Sequence, residues 1–90
     1  VKQKTVLSYI FNMAELDLHG VTHAEADRKV ENFVFANQHN FPITIITGHS
    51  PDMKKIVRTV LDRNKFKHYD GDYSQSNMGV ITVEGFKTKK

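Results

Sequence analysis

The sequence predicts a small two-layer α/β sandwich, ordered β-α-β-α-β-β, with a four-stranded mixed sheet and both helices on one face. Three observations lead there. Two stretches, Ala14–Gly20 (A-E-L-D-L-H-G) and Ile43–Ser50 (I-T-I-I-T-G-H-S), each read as a strand that closes on glycine and histidine and is followed by a helix start. Between and after them lie two apolar stripes at helical spacing. The chain then closes on a β-branched run, Gly79–Glu84, that reads as a final strand.

With 90 residues there is room for one two-layer core and no second. No cysteine is present, which removes disulfide frameworks and thiolate metal sites and fits a reducing compartment, cytoplasmic or nuclear. No apolar run approaches the ~20 residues that span a bilayer, so no membrane partner is expected, and nothing reads as a signal peptide. Val1 in place of methionine fits a fragment of a longer chain or a processed one, and a monomeric domain is expected. The net charge of +3 is unevenly spread. Residues 1–50 carry four Lys/Arg against five Asp/Glu, and residues 51–90 carry nine against five. A polyanion would sit on the second half, although a lysine-rich surface can also be only a solvated face.

The elements follow in order. Residues 1–13 form an N-terminal extension whose apolar cluster, Val6-Leu7-Ser8-Tyr9-Ile10-Phe11, reads as a short strand or a helical turn that docks on the domain body. The domain proper spans 14–86. In the first strand Leu16 and Leu18 share the face that meets helices, and Asp17 and His19 share the other. Thr22 with Glu25 makes a capping box. The stripe Ala26, Val30, Phe33, Val34 and Asn37 then carries a helix to about His39-Asn40.

Ile43–Thr47, between Pro42 and Gly48, is a buried parallel strand. Ser50 as N-cap and Pro51 at the first helical position open the second helix. Its inner stripe is Met53, Ile56, Val57, Val60 and Leu61, its outer faces carry Lys54, Lys55, Arg58 and Arg63, and Asn64 stops it. Phe66–Tyr73 is the third strand, with Gly71 as a bulge or its end, and 74–77 form a polar loop. The final strand runs antiparallel to the third, and Lys87–Lys90 is a basic tail. His39 and His68 read as surface residues.

Ligands of open α/β sheets bind at the carboxyl ends of parallel strands. Gly20 and Gly48 lie at such ends, each before a helix N-terminus that offers amide N–H groups to a phosphate. Gly48 lets a backbone or ligand approach closely, or serves only to make the turn tight. Lys54, Lys55 and Arg58 follow within two helical turns. An aspartate two residues from a histidine on one strand face can fix the imidazole tautomer and tune it as a general acid or base. The same Asp can equally cap the turn while the His bonds backbone.

His49 is a second imidazole at the neighbouring strand end. His23 lies four residues from His19, but Gly20 and Thr22 break the element between them, so helical metal-pair geometry does not apply. A magnesium ion on Asp17 asks less of the chain, since one or two carboxylates and substrate phosphates suffice; no cofactor is assigned. Tyr69, Tyr73 and Phe86 could stack on unpaired bases or serve as packing residues.

L-D-L-H-G on the first strand, T-G-H after the second, and N-x-G opening the last resemble the Smr (small MutS-related) domain from about Glu15 to Gly85. The resemblance implies the same sandwich, like the C-terminal domain of a bacterial translation initiation factor, and an association with endonuclease activity in which the L-D-x-H motif forms part of the site. Ser76, Asn77 and Gly79 match the family's last loop. The family's usual T-G-x-G is broken here by Ser50, which puts catalysis in question more than fold. A left-handed backbone at that position would strain a serine. A helix cap would not.

The combined expectation is a nucleic-acid-binding domain with endonuclease (nicking) activity on DNA or RNA. Asp17 and His19 carry the acid–base work and His49 assists. Thr47, Gly48, Ser50, Lys54, Lys55, Arg58, Asn77, Gly79 and Lys87 hold nucleic acid. The alternative is a non-catalytic module that targets a larger protein to branched or structured nucleic acid, since no carboxylate cluster able to hold two metal ions is visible. A small-molecule phosphate enzyme is disfavoured, because a 90-residue two-layer domain leaves no deep pocket.

Overall fold

A computed structural model describes residues 14–71 and 78–87. They run as β1 (Glu15–Asp17), α1 (His23–Ala36), β2 (Ile43–Ile46), α2 (Pro51–Arg63), β3 (Phe66–Asp70) and β4 (Val80–Phe86). The four strands form one sheet in the order β1-β2-β4-β3. β1 is parallel to β2, and β4 is antiparallel to both β2 and β3. This is the mixed sheet and element order expected from the sequence.

Period-two alternation decides what meets the helices. Leu16, Ile45 and Ile81 stand in one row across the sheet, and Ile43 stands beside Val83. Ile43, Ile45, Ile81 and Val83 form a single buried cluster with Leu18 and Phe66, with Ala26, Val30 and Val34 of α1 and with Met53, Val57, Val60 and Leu61 of α2, and Leu16 packs partly buried against it. Both helices therefore lie on one face.

The caps follow the residue chemistry. The Thr22 hydroxyl accepts from the Glu25 amide at 3.2 Å, and the Ser50 hydroxyl accepts from the Met53 amide at 3.1 Å. Pro51 opens α2, and Asn64 closes it by donating to the Val60 carbonyl at 2.9 Å. α1 stops at Ala36, short of the expected His39-Asn40. The Asn37 side chain donates to the Phe33 carbonyl at 2.9 Å, so it caps the last turn instead of continuing the stripe.

Three strand boundaries differ from expectation. β1 keeps only Glu15–Asp17, because Gly20 begins a turn at φ 80°. β3 ends at Asp70, before Gly71; Tyr73 and 74–77 lie outside the described residues, as do 1–13 and 88–90. β4 starts at Val80 and extends to Phe86. A register shift between Lys67 and His68 lets its last residues keep pairing, with Gly85 opposite Lys67 and Phe86 opposite Phe66.

The same shift sets His68 opposite Val83, and the alternation from Phe66 puts it on the helix side. It is not the surface residue that the sequence indicated. Its side chain is only 13% exposed, and its Nε2 lies 2.8 Å from Asp62 Oδ1 on α2. That contact holds the Asp62 carboxyl below the usual carboxylate range. His39 is exposed, as expected.

At the end of the sheet where β2 begins and β4 ends, Phe66 is the centre of an aromatic group. Its ring centroid lies 5.2 Å from Phe35, 5.9 Å from Phe41 and 4.6 Å from Phe86. Phe86 is 49% exposed yet packs on two rings, so of its two sequence readings it takes the packing one. Phe66→Ala is expected to cost about 3–5 kcal/mol, as for other fully buried aromatics. Phe86→Ala should cost clearly less, and urea unfolding followed by circular dichroism compares the two. Equal costs would contradict the placement of Phe66 at the centre.

Candidate active site at the sheet edge

β1 and β2 are parallel, so their carboxyl ends reach one edge. β4 is antiparallel and brings its beginning, Gly79-Val80, to the same edge. Sequence motifs far apart in the chain meet there.

β1 continues past its last ladder residue. The buried Leu18 donates its amide to the Ile46 carbonyl at 3.0 Å and accepts from the Val21 amide at 3.1 Å. With Leu18 pinned inward, Asp17 and His19 face outward, as the alternation requires. Asp17 Oδ1 accepts from the His19 amide at 3.0 Å and lies 2.6 Å from His19 Nδ1. The two side chains are 59% and 73% exposed. The bond from the His19 amide, then that from the ring, lowers the Asp17 pKa from its ordinary value. An ionised carboxylate only accepts, so Nδ1 carries a proton, and in the neutral ring Nε2 keeps its lone pair.

Nε2 points across to the next strand end. A Cβ built on Gly48 would lie 3.8 Å from it. Gly48 sits at φ 71°, a left-handed conformation that glycine adopts without strain. It is held by its neighbours: the Thr47 and Gly48 amides both donate to the Gly79 carbonyl at 2.9 Å. The buried Thr47 hydroxyl lies 2.8 Å from the Gly48 carbonyl and 3.2 Å from that of Gly79, within donating reach of either. Thr47 and Gly79, singled out in the sequence as ligand contacts, thus frame the turn. Ser50, at φ −75°, is unstrained and spends its hydroxyl on the cap of α2.

The remaining candidates divide. His49 is exposed on the same turn, and among the described residues no hydrogen bond joins it to His19. Lys55 is exposed and Lys54 half-buried on α2, one turn past the edge. Arg58 grips Asp70 with a two-pronged contact, Nε to Oδ1 at 3.2 Å and a terminal nitrogen to Oδ2. That contact raises the guanidinium pKa and lowers the carboxyl's. It ties α2 to the end of β3. Lys87 donates its amide to Lys65 beyond the start of β3, at the far end of the sheet, with its amine 3.8 Å from Asp62. The structure does not bring it to His19. Asn77 lies outside the described residues.

One residue at this edge escaped the sequence reading. Met78, between the two motif residues Asn77 and Gly79, is 46% exposed. Its position inside N-x-G was the available signal. Among the described residues no group of three or more His, Asp or Glu could hold a metal ion.

The family model of the Smr domain matches residues 16–85. The chain belongs to the Smr domain family. A comparison with curated protein sequences found no match. The Smr domain is a nucleic-acid-binding, nuclease-like family, so the family implies nucleic acid as the class of partner. Among the described residues no helix of this Smr domain is long and apolar enough to cross a membrane.

Gly48→Ala tests the frame. A Cβ at this left-handed position is expected to destabilise the domain by about 1–2 kcal/mol and to bring a methyl group against the His19 ring, shifting its proton resonances. Unchanged stability and an unchanged His19 spectrum would contradict the geometry.

Proposed function

We propose that this Smr domain is an endonuclease that nicks DNA or RNA by acid–base chemistry at His19, with Asp17 as its orienting partner. The observation that carries the reading is the Asp17–His19 contact of 2.6 Å, which leaves Nε2 over the Gly48 turn. In its neutral form Nε2 accepts the proton of an attacking water or ribose 2′-hydroxyl. Once protonated, it returns that proton to the leaving oxygen as the phosphodiester bond breaks.

The phosphate would lie along the Gly48–Ser50 turn at the N-terminus of α2, with His49 at its side. Lys54 and Lys55 would follow the backbone, each neutralised phosphate adding affinity and salt dependence. Arg58 contributes indirectly, by fixing α2 on β3 through Asp70. The acidic Asp52 in the first turn of α2 opposes phosphate there, which places more of the binding on the lysines.

The test compares wild type with His19→Ala on supercoiled plasmid and folded RNA, with and without EDTA, and reads binding from the same samples by gel shift at two salt concentrations. Cutting is expected to fall roughly 10²–10⁴-fold in the variant while the salt-sensitive shift survives. No wild-type cutting above the variant's background, with binding intact, would make the domain a targeting module and remove the catalytic roles of Asp17 and His19.

A further inference from the structure

Three large apolar side chains are exposed among the described residues: Phe35, Met78 and Phe86. Phe35 and Phe86 belong to the aromatic group around Phe66, at the end of the sheet away from His19. Met78 belongs to no such group and stands at the working edge. It precedes Gly79, whose carbonyl is the common acceptor of the Thr47 and Gly48 amides. Gly48 in turn is the residue whose Cβ position lies 3.8 Å from His19 Nε2. Met78 is thus one residue, about 3.8 Å of chain, from the carbonyl that holds the turn beside the imidazole. Its flexible apolar side chain is 46% exposed at the rim of a polar edge, and covering that surface would be favourable.

We infer that Met78 is a base-contacting residue. Its thioether side chain packs against a nucleobase displaced from the stack next to the phosphate that His19 addresses, so the domain prefers nucleic acid with an unpaired base over a regular duplex. This rests on the nuclease reading of the edge and adds a substrate preference to it.

The chemistry suits the role. Methionine is unbranched and polarizable, so it adapts to any base face without demanding one sequence. Apolar wedges of this kind part base steps in other nucleic-acid complexes. Extruding a base costs least where it is already unpaired. Lysines on the backbone supply affinity without distinguishing paired from unpaired bases, and among the described residues no other large apolar side chain is exposed at this edge to make the distinction.

The experiment uses wild type, Met78→Ala and Met78→Leu. Each is measured by gel shift and by nicking on a fully paired duplex and on the same duplex carrying a single-nucleotide bulge, in DNA and RNA forms, with 2-aminopurine beside the bulge. Covering a half-exposed methionine corresponds to roughly a five- to ten-fold preference for the bulged form. Wild type and Met78→Leu are expected to show that preference and a change in 2-aminopurine fluorescence on binding. Met78→Ala should bind the paired duplex as wild type does and lose both.

Equal preference in wild type and Met78→Ala, or none in wild type, would overturn the inference while leaving the nuclease reading in place. Failure of wild type to bind either nucleic acid would overturn both.

Discussion

The parallel pairing of β1 with β2 is the constraint on which the candidate site depends. Only a parallel pair brings two strand–turn–helix junctions to the same side of a sheet. The Leu18 amide extends that pairing one step beyond β1, and the side chain of Leu18 buries the junction in the core. Asp17 and His19 have their outward positions because Leu16 and Leu18 have theirs. The antiparallel β4 then locks the second junction from the other side, through one carbonyl that receives two amides. The imidazole is exposed, and the backbone on either side of it is tied by these hydrogen bonds.

What holds the molecule together is apolar, and what orients it is polar. The core is a single cluster shared by three strands and two helices in which nearly every member is fully covered. The ion pairs lie nearer the surface. Arg63 bonds both Asp27 oxygens, at 2.9 and 3.2 Å, and Asn64 donates to Glu31 at 2.9 Å, joining the end of α2 to α1. Such half-exposed pairs contribute little stability each, and their effect is on registration of the helices. The Arg58–Asp70 grip does the same between α2 and β3. It removes from the free basic surface a cation that charge counting had placed there.

The fold was legible in the sequence wherever a local rule and the tertiary context agree. Thr22 and Ser50 cap helices because their hydroxyls reach the third amide of the first turn, a contact that needs no distant partner. The stripe of Met53, Val57, Val60 and Leu61 needs only the 3.6-residue period. Legibility failed where a distant partner decides. His68 lies on the face of the buried Phe66, which stands two residues before it, and what covers it is Asp62 of α2, a partner outside residues 66–70. The end of α1 depends on whether the Asn37 side chain bonds its own helix. At the site, the L-D-L-H-G pattern placed Asp17 and His19 on one face. The roles of Thr47, Gly79, Arg58 and Lys87 depended on which group each meets across the fold. Thr47 and Gly79 meet each other, Arg58 meets Asp70, and Lys87 is carried to the opposite end by the antiparallel run of β4.

The proposed chemistry requires that Asp17 fix the His19 tautomer so that Nε2 is the reactive nitrogen. Long-range proton–nitrogen correlation NMR on the histidine rings reads this directly. In the neutral ring the proton is expected predominantly on Nδ1, held by the Asp17 carboxylate, with Nε2 unprotonated. A neutral His19 that carries its proton mainly on Nε2 would contradict the account, because the nitrogen facing the Gly48 turn could then accept no proton from a nucleophile.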